Sequence, residues 1–112
     1  MRLPNGDQAI IERVKLEGYV LSDVHPVGRF KARFFATLGF TAHNWRELEA
    51  ALRSQHLPEP ATPGPVEAFG QSFTIRAILK GPGGGALVTS VWFVRTGEGV
   101  ARFVTAYPGG KA

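Results

Sequence analysis

"GQSFTIRAILKG", residues 70–81, is the stretch that decides the fold. Phe73, Ile75, Ala77 and Leu79 alternate with Ser72, Thr74, Arg76 and Lys80. A period of two belongs to a strand with one buried face, and Ile78 is its one apolar exception on the polar side. "GPGGG" (81–85) follows as a turn. "ALVTSVWFVRT" (86–96) is then apolar on both faces, as expected of a central strand. "GEG" (97–99) turns the chain again, and "VARFVTAYP" (100–108) reads as a further strand closed by Pro108. The terminal "GGKA" (109–112) is expected to fray. This half of the chain predicts an antiparallel meander of three to four strands.

Working outward toward the N-terminus, the pattern changes. "HLPEPATPGPVEAFG" (56–70) carries four prolines and no periodicity. It predicts an irregular, mobile, extended loop at about 56–69, outside any cleft. Before it, Thr41 is placed to cap a helix over about 42–55, with Trp45, Leu48 and Leu52 on one face. Pro26 suits the first turn of another helix and Gly39 its stop, giving a helix over about 26–38. Residues 14–21 suggest one more helix, weakened by Gly18, after a short strand at 9–11 and an Asn5-Gly6 turn. Helices segregated from strands define an α+β fold, N-terminal helices packed on a C-terminal meander, as a single domain over 1–112.

Composition bounds the function. The 112 residues are 44% hydrophobic, eight of them phenylalanine, which is enough for one modest core. No cysteine is present, so disulfides and thiolate metal sites are excluded. "MRLPNGDQAI" does not open a signal peptide, and no run approaches the roughly 20 apolar residues of a membrane span. The expectation is a cytoplasmic protein. Thirteen Lys and Arg against nine Asp and Glu give a net charge of +4. That balance favours a polyanionic partner, although the charges are dispersed and form no basic arm.

"HPVGRFKARFFATLGF" (25–40) raises the chemical question. At 100° per residue, Phe30, Phe34 and Leu38 form a stripe expected to pack on the sheet, with Phe35 and Val27 beside it. Lys31 falls inside that stripe. A buried lone ammonium costs several kcal/mol or loses its proton. Lys31 therefore either snorkels to the edge or reaches a polar cleft shared with His25, opening toward Thr105 or Tyr107. No carboxylate lies one helical turn away from it. His25 precedes the helix, where amide N–H groups are free, and its ring titrates near neutral pH. It is either a proton-transfer group or a helix-entry residue bonded to backbone. His43 and His56 read as surface residues. Their spacings with His25, 18 and 13 residues, match no compact metal motif.

On the strands, Ser90 and Trp92 share one face, and Thr105 and Tyr107 share another. Hydroxyls can bond a phosphate, and Trp or Tyr can stack on a base, although all these residue types favour strands anyway. Arg29 and Arg95 could add positive charge for substrate binding. "KGPGGGA" is no phosphate loop, because its lysine precedes the glycines and a strand follows them. No acidic cluster for Mg²⁺ is present, and neither a metal nor another cofactor is expected.

The segments "LPNGDQAI", "KLEGYVLS", "HPVGRFKARFFATLGF", "GQSF", "LKGPGGGALVTSVWFVRTGEG" and "RFVTAYP" resemble an uncharacterised family of small bacterial proteins, a domain of unknown function. The "HP-x-G-x-x-KA" element is the most specific part. More distantly, helices followed by a meander ending in "VTAYP" resemble the barnase/EndoU/colicin/RelE-like ribonuclease toxins. That resemblance implies metal-independent RNA cleavage and a cognate antitoxin or immunity protein, expected to be small and acidic. It would make His25 the acid/base group, Lys31 the phosphate-stabilising cation, and Thr105 and Tyr107 polar groups at the end of the sheet. The chain lacks a second well-placed histidine. The competing reading is a non-catalytic accessory or interaction domain whose basic surface docks a partner.

Overall fold

The alternation after Gly70 becomes two long strands. In the computed structural model, which describes residues 1–109, β2 (Gly70–Gly81) and β3 (Gly84–Arg95) pair antiparallel in unbroken register from Gly70↔Arg95 to Gly81↔Gly84. β1 (Ala61–Glu67) adds to the outer side of β2, and β4 (Ala101–Pro108) to the outer side of β3. The sheet order is β1-β2-β3-β4. β3 is a central strand, as its two-sided apolar pattern requires. The expected fraying beyond Gly109 lies outside the described residues.

The expected Pro-rich loop is corrected in part. Residues 61–67 form an edge strand, with a register shift between Pro63 and Val66. Proline lacks the N–H a central strand must donate, so an edge strand with a bulge is where Pro63 and Pro65 can sit in a sheet. Ala61 is buried, whereas Pro60, Pro63 and Pro65 stay exposed.

Three helices cover one face of the sheet. α1 (Arg13–Lys15) continues into a π-helical turn (Leu16–Val20). α2 (Gly28–Thr37) follows. α3 (Trp45–Ala51) starts after a 3₁₀ turn (Ala42–Asn44) and likewise ends in a π-helical turn (Leu52–His56). Asn44 Oδ1 accepts the Thr41 N–H at 2.6 Å, anchoring that start. Before α1, Ile10 bonds Ala101 and Phe103 of β4 through its backbone, so the strand expected at 9–11 is a single parallel bridge. Between the layers, Leu16, Val20, Phe35, Leu38, Phe40, Leu48 and Leu52 meet Phe73, Ile75, Leu79, Val88, Trp92 and Phe103.

The face that α2 buries differs from the expected one. Gly28, Ala32, Phe35 and Leu38 are buried, whereas Phe30 is 59% exposed and Phe34 half-buried. Two small residues let the helix lie close to the segment beneath it, and closeness outweighs the size of the phenylalanines. Leu38 then meets the β2–β3 turn. A Cβ on Gly81 would fall 2.2 Å from the Leu38 carbonyl oxygen, so that position requires glycine.

His56, expected at the surface, is fully buried. Its Nε2 lies 3.2 Å from the Ala77 carbonyl oxygen, which can only accept, so Nε2 carries the ring proton. Nδ1 then accepts from the Ser90 hydroxyl at 2.8 Å, and Trp92 Nε1–H donates to Ser90 Oγ at 2.9 Å. The chain Trp92–Ser90–His56–Ala77 satisfies every polar atom it buries. Burial lowers the His56 pKa, against the opposing pull of the Ala77 carbonyl and the Glu59 charge.

Candidate functional site

The cluster around Tyr19 is built by the way residues 16–28 turn. Leu21 N–H bonds Leu16 O at 2.8 Å, the i to i+5 bond of a π turn, and Ser22 N–H bonds Tyr19 O at 3.2 Å. Such turns insert an extra residue and recur at functional sites. Ser22 Oγ then accepts the N–H groups of Val24 and His25, at 3.3 and 3.1 Å, and reverses the chain. His25 Nδ1 accepts the N–H groups of both Val27 and Gly28 at 3.0 Å. Those donors would otherwise be unpaired at the start of α2. With Nδ1 accepting, the ring proton of neutral His25 sits on Nε2.

Gly28 sets the approach of α2. A Cβ there would lie 1.9 Å from the Tyr19 carbonyl oxygen and 3.1 Å from its ring. The helix therefore rests directly on the backbone of Tyr19. One turn on, Lys31 Nζ reaches 5.4 Å from the Tyr19 ring centroid, within cation–π range. The His25 ring meets the Tyr19 ring edge-on, with centroids 4.8 Å apart and planes at 68°. The "HP-x-G-x-x-K" part of the element thus converges on one tyrosine: His25 caps and meets its ring edge-on, Gly28 permits contact, and Lys31 lies over the ring.

β4 supplies the fourth member. Trp92 pairs with Phe103 but Val91 with Thr105, so one extra residue sits in β4 at that point. A bulge of this kind re-aims a side chain. Thr105 Oγ1 lies 3.5 Å from Tyr19 Oη, at the outer limit of a hydrogen bond. The Thr105 hydroxyl lowers the Tyr19 pKa most, burial opposes it, and the Lys31 ammonium and the Lys15 charge lower it further, so that the net shift is downward. A tyrosine that ionises more readily than usual, beside an ammonium and two further hydrogen-bonding side chains, is equipped to exchange a proton next to a bound anion.

Of the residues singled out in the sequence, His25, Lys31 and Thr105 gather around Tyr19. Lys31 is half-buried, with buried Phe35 and Leu38 on either side of it around the helix, as the sequence pattern places it among apolar residues. Tyr107 pairs with Thr89, two residues beyond Thr105, and is half-buried. Ser90 and Trp92 are fully buried in the His56 network, which removes them from contact with any substrate. Arg29 is exposed on the opposite flank of α2, its guanidinium 4.7 Å from the Phe30 ring centroid. Arg95 is exposed and pairs with Gly70, four residues along β3 from the partner of Thr105, or about 13 Å at the rise of a strand.

Sequence reasoning does not find Tyr19, since a tyrosine within the apolar 14–21 segment looks like an ordinary core contact. Among the described residues, His, Asp and Glu form no group of three able to hold a metal ion. No described helix is long and apolar enough to cross a membrane.

Fold and cluster together define a small α+β domain, with a helical layer over one face of a four-stranded meander and a polar cluster at its β4 edge. The chain belongs to the family described as Domain of unknown function (DUF6883), whose model matches residues 2–110. No curated protein and no solved structure matches the chain.

Proposed function

We propose that the chain is a metal-independent, ribonuclease-like toxin domain that cleaves RNA by transesterification at the Tyr19 cluster. The observation that carries this reading is the meeting of Tyr19, its ionisation favoured, with Lys31, a cation in none of the ion pairs of the described residues. RNA brings its own nucleophile. Tyr19 phenolate takes the proton of the 2′-hydroxyl as its oxygen attacks phosphorus. Lys31 faces the charge that builds on the phosphate and returns a proton to the departing 5′-oxygen. The P–O5′ bond breaks, leaving a 2′,3′-cyclic phosphate and a 5′-hydroxyl. His25 Nε2–H donates a hydrogen bond to a phosphate oxygen, while the Thr105 hydroxyl keeps its proton directed at Tyr19 Oη. Acid/base transfer of this kind is worth about 10²–10⁴-fold, and preorganised donors a comparable factor. Such an activity is toxic in the cytoplasm, where we place the chain, and calls for a small acidic protein to cover the basic site.

A second reading has its own support. His25 Nδ1 is occupied by two backbone N–H groups, so His25 already has a structural task. In that reading the cluster only fastens α2, and the basic surface docks a partner. One experiment separates the two. The purified chain is incubated with an oligoribonucleotide and with the same oligonucleotide bearing a single 2′-deoxy position. Cleavage blocked at the deoxy position, with cyclic-phosphate ends, supports the nuclease. Loss of that cleavage in Lys31→Met, which keeps the stem and removes the charge, assigns it to this cluster. No cleavage by the wild-type chain, or full cleavage by Lys31→Met, sinks the catalytic reading.

A further inference from the structure

α2 carries Arg29, Lys31 and Arg33 and no acidic residue. None of the three takes part in the ion pairs of the described residues, which are Arg13–Glu17, Arg53–Glu49 and Arg102–Glu98. The helix splits these charges between two flanks. Lys31 faces Tyr19. Arg29 and Arg33, one turn apart, lie on the other flank, around the helix from Lys31. On that second flank a cleft of about 480 Å³ opens between α2 and residues 40–43. Leu21, Ala32, Ala36 and Phe40 line its apolar part. Arg29, Arg33 and His43 also line it, and Asp23 is its one carboxylate. Residues 19–23 pass from the Tyr19 cluster to this cleft, with Gly28 of α2 resting on the Tyr19 backbone, so the two sites lie on either side of one helix.

We infer that this cleft is a second subsite for single-stranded RNA, which crosses α2 with one nucleotide at Tyr19 and a neighbouring nucleotide seated between Arg29, Arg33 and His43. The inference rests on the nuclease reading for the identity of its ligand. The volume is that of a small-molecule site, and its make-up suits a nucleotide. An apolar floor takes a base, the imidazole at the rim offers a stacking face, and two guanidiniums take phosphate oxygens in pairs. Single strands are favoured over duplex because only a splayed base can enter a cleft. Asp23, the one carboxylate in the lining, opposes the binding of further phosphates. Arg29 and Arg33 are exposed and apart from the core, so their substitution leaves folding intact.

The test reads binding and cleavage separately. A 2′-O-methyl hexanucleotide, which cannot be cleaved through its 2′-oxygen, is titrated by fluorescence anisotropy across a salt series. Arg29→Gln with Arg33→Gln should weaken binding at least tenfold at low salt. It should also flatten the slope of log affinity against log salt by about 1.4, the value for two single-strand phosphate contacts. Ala36→Leu, which fills the floor without changing charge, should weaken binding and leave the slope as it was. Unchanged affinity in either variant overturns the subsite. So does tighter binding of a polyglutamate of equal charge than of the hexanucleotide, which would make the flank a protein-docking face. Cleavage lost in Lys31→Met while both cleft variants bind as wild type sinks this inference and spares the nuclease. Binding that responds as expected in a chain that never cleaves does the reverse.

Discussion

Tyr19 gains its chemistry from two side chains that the sequence holds far apart. Thr105 comes from the last strand and Lys31 from α2, and both favour the phenolate. The Thr105 hydroxyl is the largest single cause, and the ammonium adds to it through both a hydrogen bond and its charge. An absorbance titration of the phenolate should therefore show Tyr19 ionising at lower pH than free tyrosine. Thr105→Val and Lys31→Met should each return that midpoint upward. A Tyr19 midpoint at or above that of free tyrosine in the wild-type chain would mean that the three groups do not communicate. The same titration bears on catalysis, because Tyr19→Phe keeps the ring that His25 and Gly28 pack against and deletes only the proton carrier. On the nuclease reading it should lower the rate by about 10²-fold or more, with cooperative unfolding retained. A Tyr19→Phe chain that cleaves RNA at the wild-type rate removes Tyr19 from the mechanism.

At the scale of the element, α2 decides both the packing and the site. Phe35 is fully buried and Phe30 largely exposed, although the sequence offers them as near equals. Denaturant midpoints should show Phe35→Ala costing about 3–5 kcal/mol and Phe30→Ala close to nothing. Equal losses would mean that the helix presents a different face. Gly28→Ala is the sharper probe. Its new methyl meets a backbone oxygen rather than a flexible side chain, so α2 must lift away, at about 1–3 kcal/mol. The meander, the helical half and the cap at Thr41 were legible, because alternation, prolines and glycines act locally. The rotation of α2 was not, because it depends on the Gly28–Tyr19 contact between elements. β1 was hidden because four prolines argue for a loop until an edge position makes two of them harmless. Of the site, His25, Lys31 and Thr105 were legible as residue types. Tyr19 was not, since nothing local distinguishes a tyrosine at a cluster from one in a core. Ser90 and Trp92 were misread for the same reason: a polar strand residue and its buried histidine partner lie 34 positions apart.

At the scale of the whole molecule, one buried histidine joins the helical layer to the sheet, and burial favours its neutral form. His56 ties the last turn of α3 to β2 through Ala77 and to β3 through Ser90, with Trp92 closing the chain of bonds. In the neutral tautomer each donor finds one acceptor. A second ring proton would turn Nδ1 into a donor facing the Ser90 oxygen, which already receives the Trp92 N–H, and the Ser90 proton would lose its acceptor. Burial accordingly lowers the His56 pKa from its ordinary 6.5. Below that value the unfolded chain binds a proton that the folded chain resists. Stability from this residue is therefore full above about pH 6.5 and declines as the pH falls below it. Glu59, whose charge pulls the other way, softens the decline without reversing it. Urea midpoints measured from pH 7.5 down to pH 5 should fall, before carboxylates with ordinary pKa values near 4 begin to titrate. His56→Leu with Ser90→Ala removes the titrating ring and its stranded partner together, and should flatten the curve over that interval. Should the double variant keep the full slope, the acid sensitivity belongs elsewhere and the buried chain of bonds is not what holds α3 to the sheet.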